Sequence, residues 1–150
     1  MNSPTPHFIF FGSSSFSVTI LNELASVGFL PTYIVTTPDS PKGRGLVLTP
    51  SPVKMWAEKN NVPTLSPKTL RGPEGEEVVR ALKKIVAERG VDVFITASYG
   101  KIIPEAILAI PPRQNLNVHP SLLPKLRGPS PIESAILSED KTGVSIMIVD

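Results

Sequence analysis

An asparagine and a histidine two residues apart, Asn117 and His119, are the side chains in this sequence best suited to chemistry. They lie at the carboxyl end of the short predicted strand Leu116–Val118 and are followed by Pro120 and Pro124, which block a regular helix. Side chains two positions apart on a strand point to the same face. An amide donor and an imidazole that project together suit acyl transfer, because Asn117 can stabilise an oxyanion and His119 can move a proton. For a bare Asn-x-His, a capping asparagine and a hydrogen-bonded loop histidine are the simpler interpretation.

A second candidate lies in the long stretch Thr37–Pro52, which shows no hydrophobic periodicity and is broken repeatedly by proline and glycine. Long ordered loops are usually functional or mobile. This one carries Lys42 and Arg44, and cations supply much of the affinity for nucleic acid. A solvated basic loop is the alternative interpretation.

The amino-acid composition excludes several kinds of functional site. The 150-residue chain is long enough for one domain, its net charge of +2 does not by itself indicate nucleic acid, and it has no cysteine. Disulfides, zinc-thiolate sites and thiol nucleophiles are therefore excluded. No metal is implied, because His119 has no clustered acidic residues at ligand spacing. The sequence starts without a signal-peptide pattern and has no apolar run of about 20 residues, so we expect a cytoplasmic protein without a membrane span.

The sequence predicts that alternating strands and helices position these candidate residues. Short apolar runs predict strands, and apolar residues at helical spacing predict helices between them. This alternation indicates an α/β fold, a Rossmann-like and mostly parallel sheet with helices on both faces. The predicted strands are Phe8–Phe11, Tyr33–Thr36, Pro63–Leu65, Val91–Thr96, Leu116–Val118 and Val144–Val149; the predicted helices start after Ser15 and Ser51 and cover Glu74–Arg89, Pro104–Ile110 and Pro131–Leu137.

Ligands of such sheets bind at the carboxyl ends of the strands. That rule selects Gly12–Phe16, Thr36–Pro52, Ser98–Ile103 and Asn117–Pro124. The first of these lacks the spaced glycines of a dinucleotide fingerprint, which argues against NAD. A helix cap after a strand is the simpler interpretation of Ser13 and Ser14.

The string Asn-Val-His-Pro-Ser-Leu-Leu-Pro, which starts at Asn117, resembles the signature of the folate-dependent formyltransferases. That family includes enzymes acting on glycinamide ribonucleotide, on sugar nucleotides and on methionyl-tRNA. The resemblance implies that Asn117 and His119 are catalytic. It is weaker near the start of the chain, where Ser13 and Ser14 stand in place of the family's usual Thr-Pro pair.

A second match lies within Thr37–Lys54, which resembles the loop by which the methionyl-tRNA members contact the tRNA acceptor stem. It implies that Lys42 and Arg44 bind nucleic acid. Leu46 and Val47 depart from the lysines that the family often has there. We expect that departure to weaken the tRNA contact or to change how the loop folds.

Two further stretches resemble parts of the family's substrate sites. Ala97–Pro104 is similar to the segment that wraps the pterin of the formyl donor, and Arg127–Pro131 to the stretch near the aminoacyl end of the tRNA. Strand-exit packing and a rigid turn into a helix are the alternatives. The resemblance implies that Arg127 binds nucleic acid and that these residues bind the folate: Tyr99, Gly100, Lys101, Ile102, Ile103, Ser121, Leu122, Leu123 and Pro124.

The resemblance implies a reaction that moves a formyl group from 10-formyltetrahydrofolate to the α-amino group of initiator methionyl-tRNA, carried out by a monomer. It also places a catalytic aspartate a few residues beyond Asp150 and a tRNA-binding β-barrel beyond that. We therefore expect residues 1–150 to be an incomplete N-terminal formyltransferase domain that lacks its last elements and is inactive alone. The alternatives are a formyltransferase acting on a sugar nucleotide or glycinamide ribonucleotide, and a non-catalytic folate- or tRNA-binding module.

Overall fold

The computed structural model describes residues 5–138 and 141–150. Strands and helices alternate along the chain as the sequence predicts, except that a pair of additional strands lies between residues 40 and 49. In order they are β1 (Phe8–Phe11), α1 (Ser15–Ser26), β2 (Tyr33–Val35), β3 (Ser40–Lys42), β4 (Val47–Thr49), α2 (Pro52–Lys59), β5 (Thr64–Leu65), α3 (Gly72–Arg89), β6 (Val93–Thr96), α4 (Glu105–Leu108), β7 (Asn115–His119), α5 (Pro131–Ser138) and β8 (Ser145–Val149).

Six of the strands form one sheet in the order β5-β2-β1-β6-β7-β8. All neighbours pair in parallel except β7 and β8, which are antiparallel. The chain builds the sheet outward from β1 to β5 and then returns to β1's other side at β6. The carboxyl ends of β1 and β6 therefore flank the point where the strand order reverses, which is where such sheets bind ligands.

Strand β1 lies at the centre of the sheet and is buried on both faces. Phe8 and Phe10 belong to a core formed with α1 and α2, whereas Ile9 and Phe11 belong to a second core formed with α3 and α4. Alternate side chains of a strand point to opposite faces, so one four-residue run joins both cores. The predicted α/β sheet with helices on both faces is confirmed.

Local signals set several helix ends where they were predicted. The Ser14 hydroxyl accepts a hydrogen bond from the Ser17 N–H at the start of α1, and the Ser51 hydroxyl accepts one from the Lys54 N–H at the start of α2. Gly90 ends α3 in a left-handed conformation, with φ of 63°. That conformation carries little steric cost for glycine alone.

The stretch Thr37–Pro52 differs from the irregular loop that was predicted. β3 and β4 pair there as an antiparallel hairpin, with Lys42 opposite Val47. Each strand has only three residues, too few for an alternating pattern to stand out among the prolines and glycines. Smaller differences occur at β7, which is two residues longer than predicted, and at Pro104, which precedes α4 as its N-cap instead of starting its first turn.

Within the ranges that the structure describes, no helix is long and apolar enough to cross a membrane.

Candidate active site

A cleft of about 470 Å³ opens at the carboxyl ends of β6 and β7. Its volume falls in the range of small-molecule sites. The two strands contribute Thr96 and Asn117, which pair directly in the sheet. The remaining walls are the segment after β6, the end of α4, the end of β7 and the residue after it, the turn into α5, and β8. The lining residues are Ser98, Tyr99, Gly100, Lys101, Ile102, Ile103, Leu108, Val118, His119, Pro120, Gly128, Pro129, Pro131, Met147 and Val149.

Asn117 and His119 both line this cleft, as their two-residue spacing predicts. Asn117 pairs with Met147 across the antiparallel strands, and directly paired side chains lie on the same face of a sheet. The Asn117 side chain is half-buried and lines the cleft. It is therefore available to donate to a ligand in the cleft.

The ring of His119 is held by the loop that follows it. Its Nε2 lies 3.0 Å from the backbone carbonyl oxygen of Leu126. A carbonyl oxygen only accepts, so Nε2 carries a proton and donates this hydrogen bond. In the neutral ring Nδ1 is then the nitrogen that can take up a proton.

The loop around His119 is itself braced by serines. The buried Ser121 donates its hydroxyl to the carbonyl of Lys125 at 2.9 Å, and Ser145 of β8 donates its hydroxyl to the carbonyl of Ser121 at 2.7 Å. Ser145 also accepts from the N–H of Leu123. Sequence reasoning missed Ser145, although its position opposite His119 follows once β7 and β8 are paired.

The segment after β6 forms the opposite wall. Tyr99 is 2% exposed and packs edge-on against Phe11, with ring centroids 5.6 Å apart. Its hydroxyl is buried without a hydrogen-bond partner among the described residues, and burial raises the pKa of Tyr99 to about 12. The tyrosine thus fastens this wall to the core.

The side chain of Lys101, in the same segment, bonds to the backbone of residues 67 and 68. Its ammonium donates to the carbonyls of Pro67 and Lys68, both at 2.7 Å. Desolvation lowers the pKa of Lys101, and nearby Glu74 partly offsets this. The charge of this predicted folate-binding residue is therefore engaged by backbone, although the residue lines the cleft.

The other predicted folate-binding residues fall into two groups. Gly100, Ile102 and Ile103 line the cleft with the catalytic candidates. Leu123 and Pro124 instead line an adjoining cavity that contains His119 and Arg127. Ser121 is buried with its hydroxyl used inside the loop, and Leu122 packs near Gly143, so neither is brought to the cleft.

The three residues predicted to contact nucleic acid lie in two different places. Arg127 lies beside the cleft, in the cavity next to His119. Lys42 and Arg44 are exposed on the β3–β4 hairpin and are absent from the cleft lining. The segment leading into the hairpin is tied to α2 by a 2.7 Å ion pair between Asp39 and Lys54.

Met147 and Val149, which sequence reasoning left out of the site, line it from β8. Their two-residue spacing was the available signal. Within residues 5–138 and 141–150, no group of three or more histidine, aspartate or glutamate side chains could hold a metal ion.

The comparison with protein families matches residues 7–150 to the formyl transferase model. The chain belongs to the formyl transferase family. This confirms the family inferred from the string at Asn117, and the match covers nearly all of the chain.

Curated relatives are similar over the same span. A methionyl-tRNA formyltransferase from Chloroflexus aggregans is 48% identical over 143 residues, which are 95% of this chain and 44% of the relative. A methionyl-tRNA formyltransferase from Geobacillus sp. is 46% identical over 140 residues, or 93% of this chain and 42% of the relative. The chain therefore spans less than half the length of these relatives.

A solved structure supports the fold. A phosphoribosylglycinamide formyltransferase from Bacillus halodurans superposes with a TM-score of 0.69 at 23% identity, over 96% of this chain and 72% of that one. At this identity the likeness concerns the fold alone.

Proposed function

We propose that the full-length polypeptide containing these residues transfers a formyl group from 10-formyltetrahydrofolate to the α-amino group of initiator methionyl-tRNA. The observation that carries the proposal is the meeting of the Asn117 amide and the His119 ring in one cleft at the carboxyl edge of the sheet. The family and the names of the curated relatives support formyl transfer and this acceptor.

The two side chains divide the chemistry. The acceptor amine attacks the formyl carbon, forming a new C–N bond and placing negative charge on the formyl oxygen. The Asn117 amide donates to that oxygen as the charge develops. His119, held through Nε2 by Leu126, accepts the amine proton at Nδ1 and delivers it to the folate nitrogen as the old C–N bond breaks.

The other residues that line the cleft can bind the formyl donor. The cleft is lined largely by apolar side chains, among them Ile103, Leu108 and Met147, with the polar pair at one place. Apolar side chains can pack against the faces of a flat heterocycle, and the few polar groups can bond to its edge. We propose that the pterin lies against the segment from Tyr99 to Ile103.

We assign binding of the acceptor tRNA to basic residues outside the cleft. Lys42 and Arg44 on the exposed hairpin would contact the phosphates of the tRNA, and Arg127 would lie near its aminoacyl end. Leu46, which is 72% exposed, stands beside these cations. An apolar side chain there provides contact area for bases and no phosphate affinity.

The test measures formyl transfer by the full-length polypeptide. Asn117→Ala and His119→Ala should each lower kcat by about 10²–10³-fold, because each removes a group that acts on the transition state. His7→Ala and Gln114→Ala, which change the other histidine and an exposed amide, are the matched controls. Activity retained by both cleft variants would refute the assignment.

The acceptor is tested by substitution of substrates. Methionyl-tRNA, glycinamide ribonucleotide and an amino-sugar nucleotide should be offered separately with the same formyl donor. We expect transfer to methionyl-tRNA. Transfer only to one of the small acceptors would refute the tRNA assignment while leaving formyl transfer intact.

The remaining proposal concerns residues 1–150 as a separate polypeptide. We propose that they bind folate weakly and do not formylate, because the resemblance places a third catalytic side chain, an aspartate, beyond Asp150. In serine proteases, loss of the aspartate that orients the catalytic histidine costs about 10⁴-fold in rate. Turnover equal to that of the full-length polypeptide would contradict this.

A further inference from the structure

The residues at the start of α1 and just before it are hydrogen-bonded to the segment that leaves β6, and we propose that Ser13 is a positioning residue for the formyl donor. It would hold the wall Ser98–Ile103 in the shape that receives the folate. Ser13 is not among the residues that line the cleft, so it would act through the wall. The inference rests on the proposed function, which places the pterin against this wall.

The hydrogen bonds converge on three consecutive carbonyls. The Ser13 hydroxyl lies 3.0 Å from the carbonyl oxygen of Tyr99 and 3.2 Å from that of Ser98. The Ser13 N–H donates to the same Ser98 carbonyl at 3.2 Å. The buried Ser17 completes the set by donating its hydroxyl to the carbonyl of Ala97.

The wall needs such support because its backbone is held in an unusual shape. Ser98 has φ of 50° and Gly100 has φ of 82°, both in the left-handed region. Glycine tolerates that region, but a serine adopts it at a cost and keeps it only where surrounding contacts enforce it. On the far side the wall is fastened by Lys101, which donates to the carbonyls of Pro67 and Lys68. On the α1 side the restraint comes from Ser13, together with Ser17.

Gly12 permits this close approach. A Cβ added there would lie 2.8 Å from the Ala97 carbonyl oxygen and 2.6 Å from the Phe10 ring, nearer than side chains normally come. Only the absence of a side chain lets the start of α1 come within hydrogen-bond distance of the residues after β6.

Helix capping does not account for Ser13. The cap of α1 is Ser14, whose hydroxyl accepts from the N–H of Ser17. The hydroxyl of Ser13 is directed to the carbonyls of Ser98 and Tyr99, about 85 positions away in the chain. Removing that hydroxyl leaves the helix capped and takes away only the bonds to the wall.

The experiment compares three variants of the full-length polypeptide, Ser13→Ala, Ser13→Thr and Ser15→Ala. Ser15 is exposed, and within the described ranges its hydroxyl makes no hydrogen bond to the wall. Amide hydrogen exchange of residues 98–103 and the steady-state constants for both substrates are the readouts. Ser13→Ala should exchange faster in this segment and raise the KM for the formyl donor about 3–10-fold, the loss expected for one hydrogen bond.

The same variant should leave kcat and the KM for the acceptor at wild-type values. Ser13→Thr, which keeps a hydroxyl, should restore both exchange and donor KM, and Ser15→Ala should match the wild type. Unchanged exchange in Ser13→Ala would overturn the proposal, as would faster exchange with an unaltered donor KM. If the wild type transfers no formyl group, the proposed function fails, and the exchange comparison alone decides whether Ser13 holds the wall.

Discussion

Strands β1 and β8 are both strongly apolar and have opposite surroundings. The four residues of β1 are at most 2% exposed, whereas Ile146 and Ile148 of β8 are 69% and 58% exposed. β1 is paired on both sides and covered by helices on both faces, while β8 is the edge of the sheet and contributes a wall of the cleft. An apolar strand therefore serves stability in one place and site formation in the other, according to its neighbours.

Helix α5 also exposes apolar side chains. Ile136 and Leu137 of α5 are 71% and 86% exposed. The β3–β4 hairpin also exposes apolar side chains, since Leu46 and Leu48 are about as exposed as Ile136. These positions differ in the same way from the buried residues of β1. Substitutions at the centre should therefore alter folding, and substitutions at the rim should alter recognition.

The largest effect should come from the centre. Phe10 is fully buried in the core shared with α1 and α2, so Phe10→Ala should lower the free energy of unfolding by about 3–5 kcal/mol. Denaturant unfolding followed by circular dichroism measures this. If the alanine variant does not fold, Phe10→Leu, expected to cost about 1–2 kcal/mol, provides the reading. A cost near zero in both would show that the core is not packed as described.

Tyr99 joins the two regions, because its ring is in the core and its backbone is in the cleft wall. The folded chain holds the phenol proton until about pH 12, whereas an unfolded tyrosine titrates near pH 10. Because the folded chain keeps the phenol proton that the unfolded chain loses, the free energy of unfolding is at its full value below pH 10. It falls by about 2–3 kcal/mol as the pH rises from 10 toward 12. Tyr99→Phe should remove this part of the alkaline decline in the free energy of unfolding. Equal declines in variant and wild type between pH 10 and 12 would contradict the burial of the hydroxyl.

Arg44 tests recognition at the rim. Its side chain is exposed on the hairpin, so Arg44→Ala should leave thermal stability unchanged. In the full-length polypeptide it should raise the KM for methionyl-tRNA about 3–10-fold and reduce the salt slope of that binding by about one. The matched control is Lys83→Ala, which removes one exposed charge from α3. An equal rise in KM for both variants would mean that net charge, and no specific contact, was measured.

The smallest effect should be at the sheet edge. Ile148→Thr keeps a β-branched side chain at an exposed position and should change the free energy of unfolding of residues 1–150 by no more than about 0.5 kcal/mol. Denaturant unfolding beside Phe10→Ala gives the comparison. A cost similar to that of Phe10→Ala would show that β8 is buried in solution and would remove the contrast between the two strands.

Features governed by neighbouring residues were predictable from the sequence. The caps at Ser14 and Ser51 and the stop at Gly90 depend on groups within one helical turn. The placement of Asn117 and His119 on one side of a strand end follows from the period of two. Strand and helix alternation was sufficient to predict the parallel sheet, because parallel strands require crossover connections.

Contacts between distant segments were not predictable in this way, and only the tertiary structure decided them. Periodicity cannot say that Lys101 reaches the carbonyls of Pro67 and Lys68, or that Ser13 reaches those of Ser98 and Tyr99. Nor can it say which apolar strand is covered, because burial depends on what packs against the strand once the sheet is built. The sequence by itself determined the strands of the main sheet, the helices and the catalytic candidates, since these follow from local backbone geometry and side-chain chemistry; it did not reveal the β3–β4 hairpin. The tertiary structure determined the cleft wall, its restraints and the exposed edge, since these depend on segments far apart in the chain.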